Sequence, residues 1–233
     1  MSETDVFALV KKHDFETLVS AVASQPRITQ VRGEFGVTIL HLAAEVAPLE
    51  TIKRLKELGC DIHAFDDKNE TPIWWAMDSS NYAVVDYLLE QGASLDLMNK
   101  DGIFLLHEMA IDNGINDIVF LLSRGAPLHQ KTNYGWTIFH FAAMNADLEL
   151  IHFLIKQGAN INAKDDNGLA PLHVAATTNI MAHQMPRYLK AIELLIESGA
   201  DIFDRTNEGK TAEELSFYPD ISQLLAQYRK SAS

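Results

Sequence analysis

Gly168-Leu169-Ala170-Pro171-Leu172-His173-Val174-Ala175-Ala176 is the most regular of five stretches that align without gaps. The others are Gly36–Ala44, Asn69–Met77, Gly102–Ala110 and Gly135–Ala143. Their third positions, Thr38, Thr71, Phe104, Thr137 and Ala170, each fall 33 residues after the last. A second series, Gly59, Gly92, Gly125 and Gly158, keeps the same step, and Gly199 follows after 41. A sixth, partial copy begins at Gly209-Lys210-Thr211-Ala212. Two series in one register mark an internal repeat. A unit of this size cannot bury both of its faces alone, so stability must come from stacked neighbours.

Each copy reads as two helices. Thr71-Pro72 suits a helix start, because threonine caps orphan amides and proline is tolerated in the first turn. Ala43-Ala44, Ala142-Ala143 and Ala175-Ala176 are small enough to let neighbouring inner helices approach closely. Leu148, Ile151, Leu154 and Ile155 recur at helical spacing and mark the apolar face of an outer helix. Gly158 just beyond them suits a left-handed helix end, and Asp166-Asn167-Gly168 is turn chemistry between copies.

The pattern resembles the ankyrin repeat family, whose Thr-Pro-Leu-His-x-Ala signature is nearly reproduced in Thr38-Ile39-Leu40-His41-Leu42-Ala43-Ala44. The resemblance covers about Arg32 to the C-terminus. It implies an all-α repeat fold, an ankyrin-type helix–turn–helix solenoid with projecting hairpin-like loops. The chain then reads as one domain of about six helix pairs, counting the caps. Residues 1–31 form an N-terminal helical cap in which Asp14 is placed to cap a helix. Repeats lie near 35–64, 68–97, 101–130, 134–163 and 167–204, and 208–233 forms a C-terminal cap. The fifth repeat carries about eight extra residues near 180–188, which call for a longer loop or an extended helix end, with Pro186 limiting the inner helix.

Composition narrows the function. The chain has 233 residues, 47% hydrophobic and 22% charged, with a formal charge of −13. Such a balance repels phosphate backbones, which excludes nucleic acid as the expected partner. One cysteine, Cys60, cannot form an internal disulfide. The start Met1-Ser2-Glu3-Thr4-Asp5 lacks a signal-peptide pattern, and no run of about 18 apolar residues would span a membrane. A cytoplasmic location is expected.

Motifs that imitate catalysis dissolve on inspection. Glu208-Gly209-Lys210-Thr211 lacks the earlier glycine of a phosphate loop, because Asp204 stands there. His107-Glu108 begins a zinc-protease pattern, but position 111 is Ile. His41, His107, His140 and His173 occupy the signature slot, where the resemblance implies a structural hydrogen bond to loop backbone. Trp74 fills that slot in the second copy, so the loop network there should be weakened or replaced by stacking. No catalytic residue, metal or cofactor is expected, and Cys60 reads as a small buried residue.

In the family, partners meet the loop tips and the concave side of the inner helices. Carried onto this chain, the tips include Phe35 and Val37, then Phe65, Asp67, Lys68 and Glu70, then Met98, Lys100, Asp101 and Ile103. Lys131, Asn133, Tyr134 and Trp136 follow, and inner-helix ends add Glu45, Asp78, Ile111 and Met144. The expected contact residues are Phe65, Lys68, Met98, Lys100, Ile111, Tyr134, Trp136 and Met144, joined by Met185, Arg187 and Tyr188 of the insertion. Trp and Tyr have no folding reason to sit at a water-facing tip, and such residues dominate interfaces. Trp136 can also fold back onto the neighbouring loop, while Trp75 and Phe141 read as core.

The leading reading is a non-catalytic protein–protein interaction module, an adaptor or scaffold, acting as a monomer on another protein. An ankyrin-repeat effector of an intracellular bacterium or parasite, acting in a host cytosol, is a second reading. A targeting subunit of an enzyme complex is a third.

Overall fold

The computed structural model describes residues 3–111 and 114–232, so the first two residues of the acidic start lie outside it. It divides into two compact units, 1–101 and 102–233. The first holds α1 (Glu3–Lys11), α2 (Phe15–Ser24), α3 (Ile39–Val46), α4 (Leu49–Glu57), α5 (Pro72–Asp78) and α6 (Tyr82–Glu90). The second holds α7 (Leu105–Ile111), α8 (Ile115–Ser123), α9 (Ile138–Met144), α10 (Leu148–Lys156), α11 (Pro171–Thr177), α12 (Met185–Glu197), α13 (Ala212–Leu215) and α14 (Pro219–Ser231). Among the described residues there is no strand, only an isolated bridge between Arg32 and Thr38. The architecture is the helix–turn–helix solenoid that the repeat demands.

Among the described residues the helices pair in sequence, giving seven pairs rather than about six. The extra pair arises because the partial copy at Gly209 is itself a helix start. Thr211 Oγ1 accepts from the Glu214 amide at 3.3 Å while the Glu214 carboxylate accepts from the Thr211 amide at 2.9 Å, closing a capping box. At the other end, Asp14 caps α2 by accepting from the Thr17 amide at 3.2 Å.

Inner helices stack on inner helices: α3 on α5, and α7 on α9 on α11. Ala43, Ala44, Ala142, Ala143, Ala175 and Ala176 are fully buried, and a larger side chain there would push neighbours apart. Outer helices contribute the apolar stripe. Ile52 and Leu55 of α4, Leu150, Ile151 and Leu154 of α10, and Ile192 and Leu195 of α12 lose all contact with water. Each such side chain is worth roughly 1.5–3 kcal/mol, so the stack rather than helix propensity holds these short helices.

Gly158, at φ +75° after α10, takes the left-handed conformation that ends the helix. Gly135, at φ +79°, is required twice over, because a Cβ there would lie 2.6 Å from Asp166 Oδ1 and 2.8 Å from the Asp166 amide nitrogen.

The insertion extends the outer helix. The inner helix α11 stops at Thr177, a 3₁₀ turn spans Ala182–Gln184, and α12 runs 13 residues against nine in α4, α6, α8 and α10. Pro186 sits in the first turn of α12, where its missing N–H costs nothing. The added turn has a structural task. Inner-helix C-termini leave carbonyls unsatisfied. Asn81 Nδ2 donates to the carbonyls of Ala44 and Ala47 behind α3, and Asn145 Nδ2 to those of Ala110 and Ile111 behind α7. For α9 the donors come from the insertion: Arg187 Nε reaches the Ala146 carbonyl at 2.8 Å, and the Tyr188 hydroxyl donates to the Met144 carbonyl. Tyr188→Phe, which keeps the ring and loses this bond, is expected to destabilise the protein by about 1 kcal/mol in urea unfolding.

Candidate functional site

Most of the loop tips are small hairpins closed by a backbone bond across four residues. Asp66 N–H donates to the Glu70 carbonyl, Thr132 to Trp136, Asp165 to Leu169 and Thr206 to Lys210, at 2.8–2.9 Å. Within each unit the tips are also tied to one another. In the first, Asp67 N–H reaches the Phe35 carbonyl and Lys100 N–H the Lys68 carbonyl. In the second, Asn133 reaches Gly102, Asp166 reaches Tyr134 and Asn207 reaches Asn167. Side chains presented here are therefore held on a fixed row within each unit.

The signature histidines set the height of that row. His41 Nδ1 accepts from the Thr38 amide at 3.1 Å, so its Nε2 carries the proton and donates to the Glu70 carbonyl, 29 residues on, at 3.1 Å. His140 repeats this with the Thr137 amide and the Leu169 carbonyl, at 3.0 Å each. His173 does so with the Ala170 amide and the Asp204 carbonyl, at 3.1 and 3.2 Å. Carbonyls only accept, which fixes the neutral Nε2–H tautomer. Burial lowers the pKa of all three, against smaller opposing influences from the accepting carbonyls.

Two copies depart from this scheme. Trp74 is buried in the histidine slot, and side-chain amides tie the loop instead. Asn69, at φ +65°, donates from Nδ2 to the Met98 carbonyl at 2.7 Å, and Asn99 Nδ2 donates to Glu70 Oε1 at 3.4 Å. In the third copy Phe104 replaces the capping threonine. His107 is fully buried, and among the described residues no hydrogen bond of good geometry reaches either ring nitrogen. Its ring packs against Phe104 and Phe141, with centroids 5.8 and 5.5 Å away. Burial pushes its pKa down to about 4; the Gln130 main chain favours the protonated form too weakly to offset this. Between pH 6.5 and about 4 the unfolded chain therefore binds the extra proton, so this stability is complete above pH 6.5 and is lost as pH falls through 4. His107→Leu should remove about 3 kcal/mol of that pH dependence while leaving stability at pH 7.5 undiminished. His140→Leu should cost about 2–3 kcal/mol at pH 7.5, through the two lost bonds. Chemical unfolding at both pH values checks the pair.

Cys60 is buried and its thiol is pushed up to about 12 by burial, which keeps it protonated and unreactive. Among the described residues no three His, Cys, Asp or Glu side chains could together hold a metal ion.

The expected contact residues fall in both units. In the first, Phe65 is 41% exposed, Lys68 and Lys100 are exposed, and Met98 is half-buried. In the second, Tyr134 is 69% exposed, while Ile111, Met144 and Met185 are half-buried. Arg187 is exposed but its guanidinium is engaged with the Ala146 carbonyl. Tyr188 is 5% exposed, so it packs and caps rather than presenting a surface. Trp136 turns inward: its indole N–H donates to Asp165 Oδ2 at 3.1 Å, and its ring stacks on His140 at 5.7 Å and meets Phe141 edge-on at 5.1 Å.

One groove stands out in the first unit. About 360 Å³ is lined by Phe35, Val37, Glu45, Asp66, Asp67, Lys68, Glu70, Trp75 and Asp78. A second hollow of about 420 Å³, reaching to Phe7 and Lys11, shares Phe35, Val37 and Trp75 with it. Trp75 and Asp66 are the members sequence reasoning missed. Trp75 is half-buried, not core, and its indole N–H donates to Asp66 Oδ2 at 3.2 Å. A Trp in a slot held elsewhere by Leu42 and Val174, with a polar N–H to satisfy, is the signal that could have found it.

Trp136→Ala should lower stability by about 3 kcal/mol through lost ring packing and the Asp165 bond, whereas Tyr134→Ala should stay within about 0.5 kcal/mol. Thermal and urea unfolding of the two variants distinguish a packing residue from a presented one.

A family model described as ankyrin repeats (3 copies) matches residues 6–99 and 106–206. Over 84 residues, 36% of this chain and 53% of the relative, the sequence is 34% identical to Protein phosphatase 1 regulatory subunit 27 of Mus musculus. Over 71 residues, 30% of this chain and 12% of the relative, it is 30% identical to Putative ankyrin repeat protein FPV022 of Fowlpox virus (strain NVSL). The chain thus spans about half or less of these curated relatives. The ankyrin repeat domain of Bcl-3, a member of the IkappaB protein family, superposes with a TM-score of 0.76 at 21% identity, over 95% of this chain and 97% of that one.

Proposed function

Because the chain belongs to the ankyrin repeat family, we propose that it is a non-catalytic adaptor that binds another protein through its loop tips and inner-helix ends, as a monomer in the cytoplasm. The observation that carries this is the disposition of its aromatic residues. Phe35 and Tyr134, one in each unit, are 76% and 69% exposed at hairpin tips. Exposed aromatics on a rigid support are what protein interfaces recruit. The groups in the signature slots and the one cysteine serve structure: His41, His140 and His173 as neutral loop ties, and Cys60 as a buried thiol.

A regulatory role, in which the array addresses an enzyme to its target, is the second reading, favoured by the likeness to a relative named as a phosphatase 1 regulatory subunit. The binding surface serves both readings.

Affinity capture with the intact chain and with a Phe35→Ala, Tyr134→Ala variant, read by quantitative mass spectrometry, tests the proposal. Proteins retained by the parent should fall at least tenfold on the variant, with an unchanged melting temperature. Identical retention by both would overturn the assignment of the surface. Turnover by the purified chain, abolished by one side-chain substitution, would overturn the non-catalytic reading.

A further inference from the structure

The repeat supplies its own control for the groove in the first unit. Positions 34, 45, 67, 70 and 78 carry Glu34, Glu45, Asp67, Glu70 and Asp78, all acidic. These belong to the first two copies; in the third and fourth copies the matching slots read Lys100, Ile103 and Ile111, then Asn133, Trp136 and Met144, with no acid among them. Both copies form the same helix pairs, so folding does not require acids in these slots. Their concentration belongs to the surface.

The groove combines that charge with aromatic walls. Glu45, Asp67 and Asp78 are exposed, whereas Asp66 and Glu70 are buried behind them. Asp66 is committed to the loop, accepting from the amides of Lys68 and Glu70 and from the Trp75 indole. Lys68 is the one base in this lining, against five carboxylates. Phe35 and Trp75 border the same space. Phe35 sits at φ +57°, in the left-handed region that a bulky side chain adopts at a cost, and it still faces water. Carboxylates beside aromatic faces form a receptor for guanidinium or ammonium groups, through charge-assisted bonds and cation–π contact. Partner segments bearing acids, and anionic polymers or lipid surfaces, are repelled.

We infer that this groove binds a basic, extended segment of the partner protein, seating an Arg or Lys side chain against Phe35 and Trp75 among Glu45, Asp67 and Asp78. The inference deepens the adaptor reading and rests on it. Volumes of about 360 and 420 Å³ suit one or two side chains each, a short linear segment rather than a folded domain.

The test uses the full chain and two fluorescein-labelled nine-residue peptides, one alternating Arg with Ala and one alternating Glu with Ala. Fluorescence anisotropy is recorded with the parent and with two charge-matched triple variants. One is Glu45→Gln, Asp67→Asn, Asp78→Asn in the groove; the other is Glu50→Gln, Glu57→Gln, Glu90→Gln on the exposed outer helices. The Arg peptide should bind the parent, lose tenfold or more in affinity on the groove variant and less than threefold on the control variant. The Glu peptide should not bind. Equal losses on both variants would mean general attraction to an acidic protein and would overturn the inference, as would no binding of the Arg peptide. Either failure leaves the adaptor reading intact if affinity capture still depends on Phe35 and Tyr134. Identical capture by the parent and the Phe35→Ala, Tyr134→Ala variant, with the groove result upheld, would instead remove the wider reading.

Discussion

One hydrogen bond carries the geometry of this array: the imidazole N–H of an inner-helix histidine donating to a loop carbonyl of the following repeat, as His41 does to Glu70 and His140 to Leu169. The ring works only when neutral, because Nδ1 must accept from the amide that opens its own helix while Nε2 donates across the repeat. Burial enforces that state by making the charged form costly. One side chain thus satisfies the start of one helix and the loop of the next copy. The tip-to-tip backbone bonds within each unit follow, and with them the row that displays Phe35 in the first unit and Tyr134 in the second.

The departures show what the tie is worth. His107 keeps the residue without the partners, and the ring survives by packing between Phe104 and Phe141. Trp74 abandons the tie, and the amide side chains of Asn69 and Asn99 take over the loop connection. Asn69 serves a second purpose there, since Asn tolerates the left-handed backbone that Gly supplies in the other copies. Fold and loop height are kept by different chemistry in each case.

Most of the fold was legible because a 33-residue period is a one-dimensional signal: helix starts, small inner residues and terminal glycines repeat whatever their neighbours do. What escaped depends on contacts far apart in sequence. Trp136 occupies a tip slot like any presented residue, and only its bond to Asp165, 29 residues away, shows that it packs inward. Tyr188 reads as a surface residue of an insertion, yet its hydroxyl completes the end of a helix 44 residues earlier. Trp75 reads as core by its slot but borders a groove, because Asp66 draws its indole edge toward the loop.

The histidine tautomer tests the central claim most directly. Long-range ¹H–¹⁵N correlation spectra at pH 7 distinguish Nδ1–H, Nε2–H and doubly protonated rings. The account predicts that His41, His140 and His173 are neutral, with slowly exchanging Nε2 protons, and that they take up a proton at lower pH than a free imidazole does. An Nδ1–H tautomer or an imidazolium at pH 7 for any of them would contradict it.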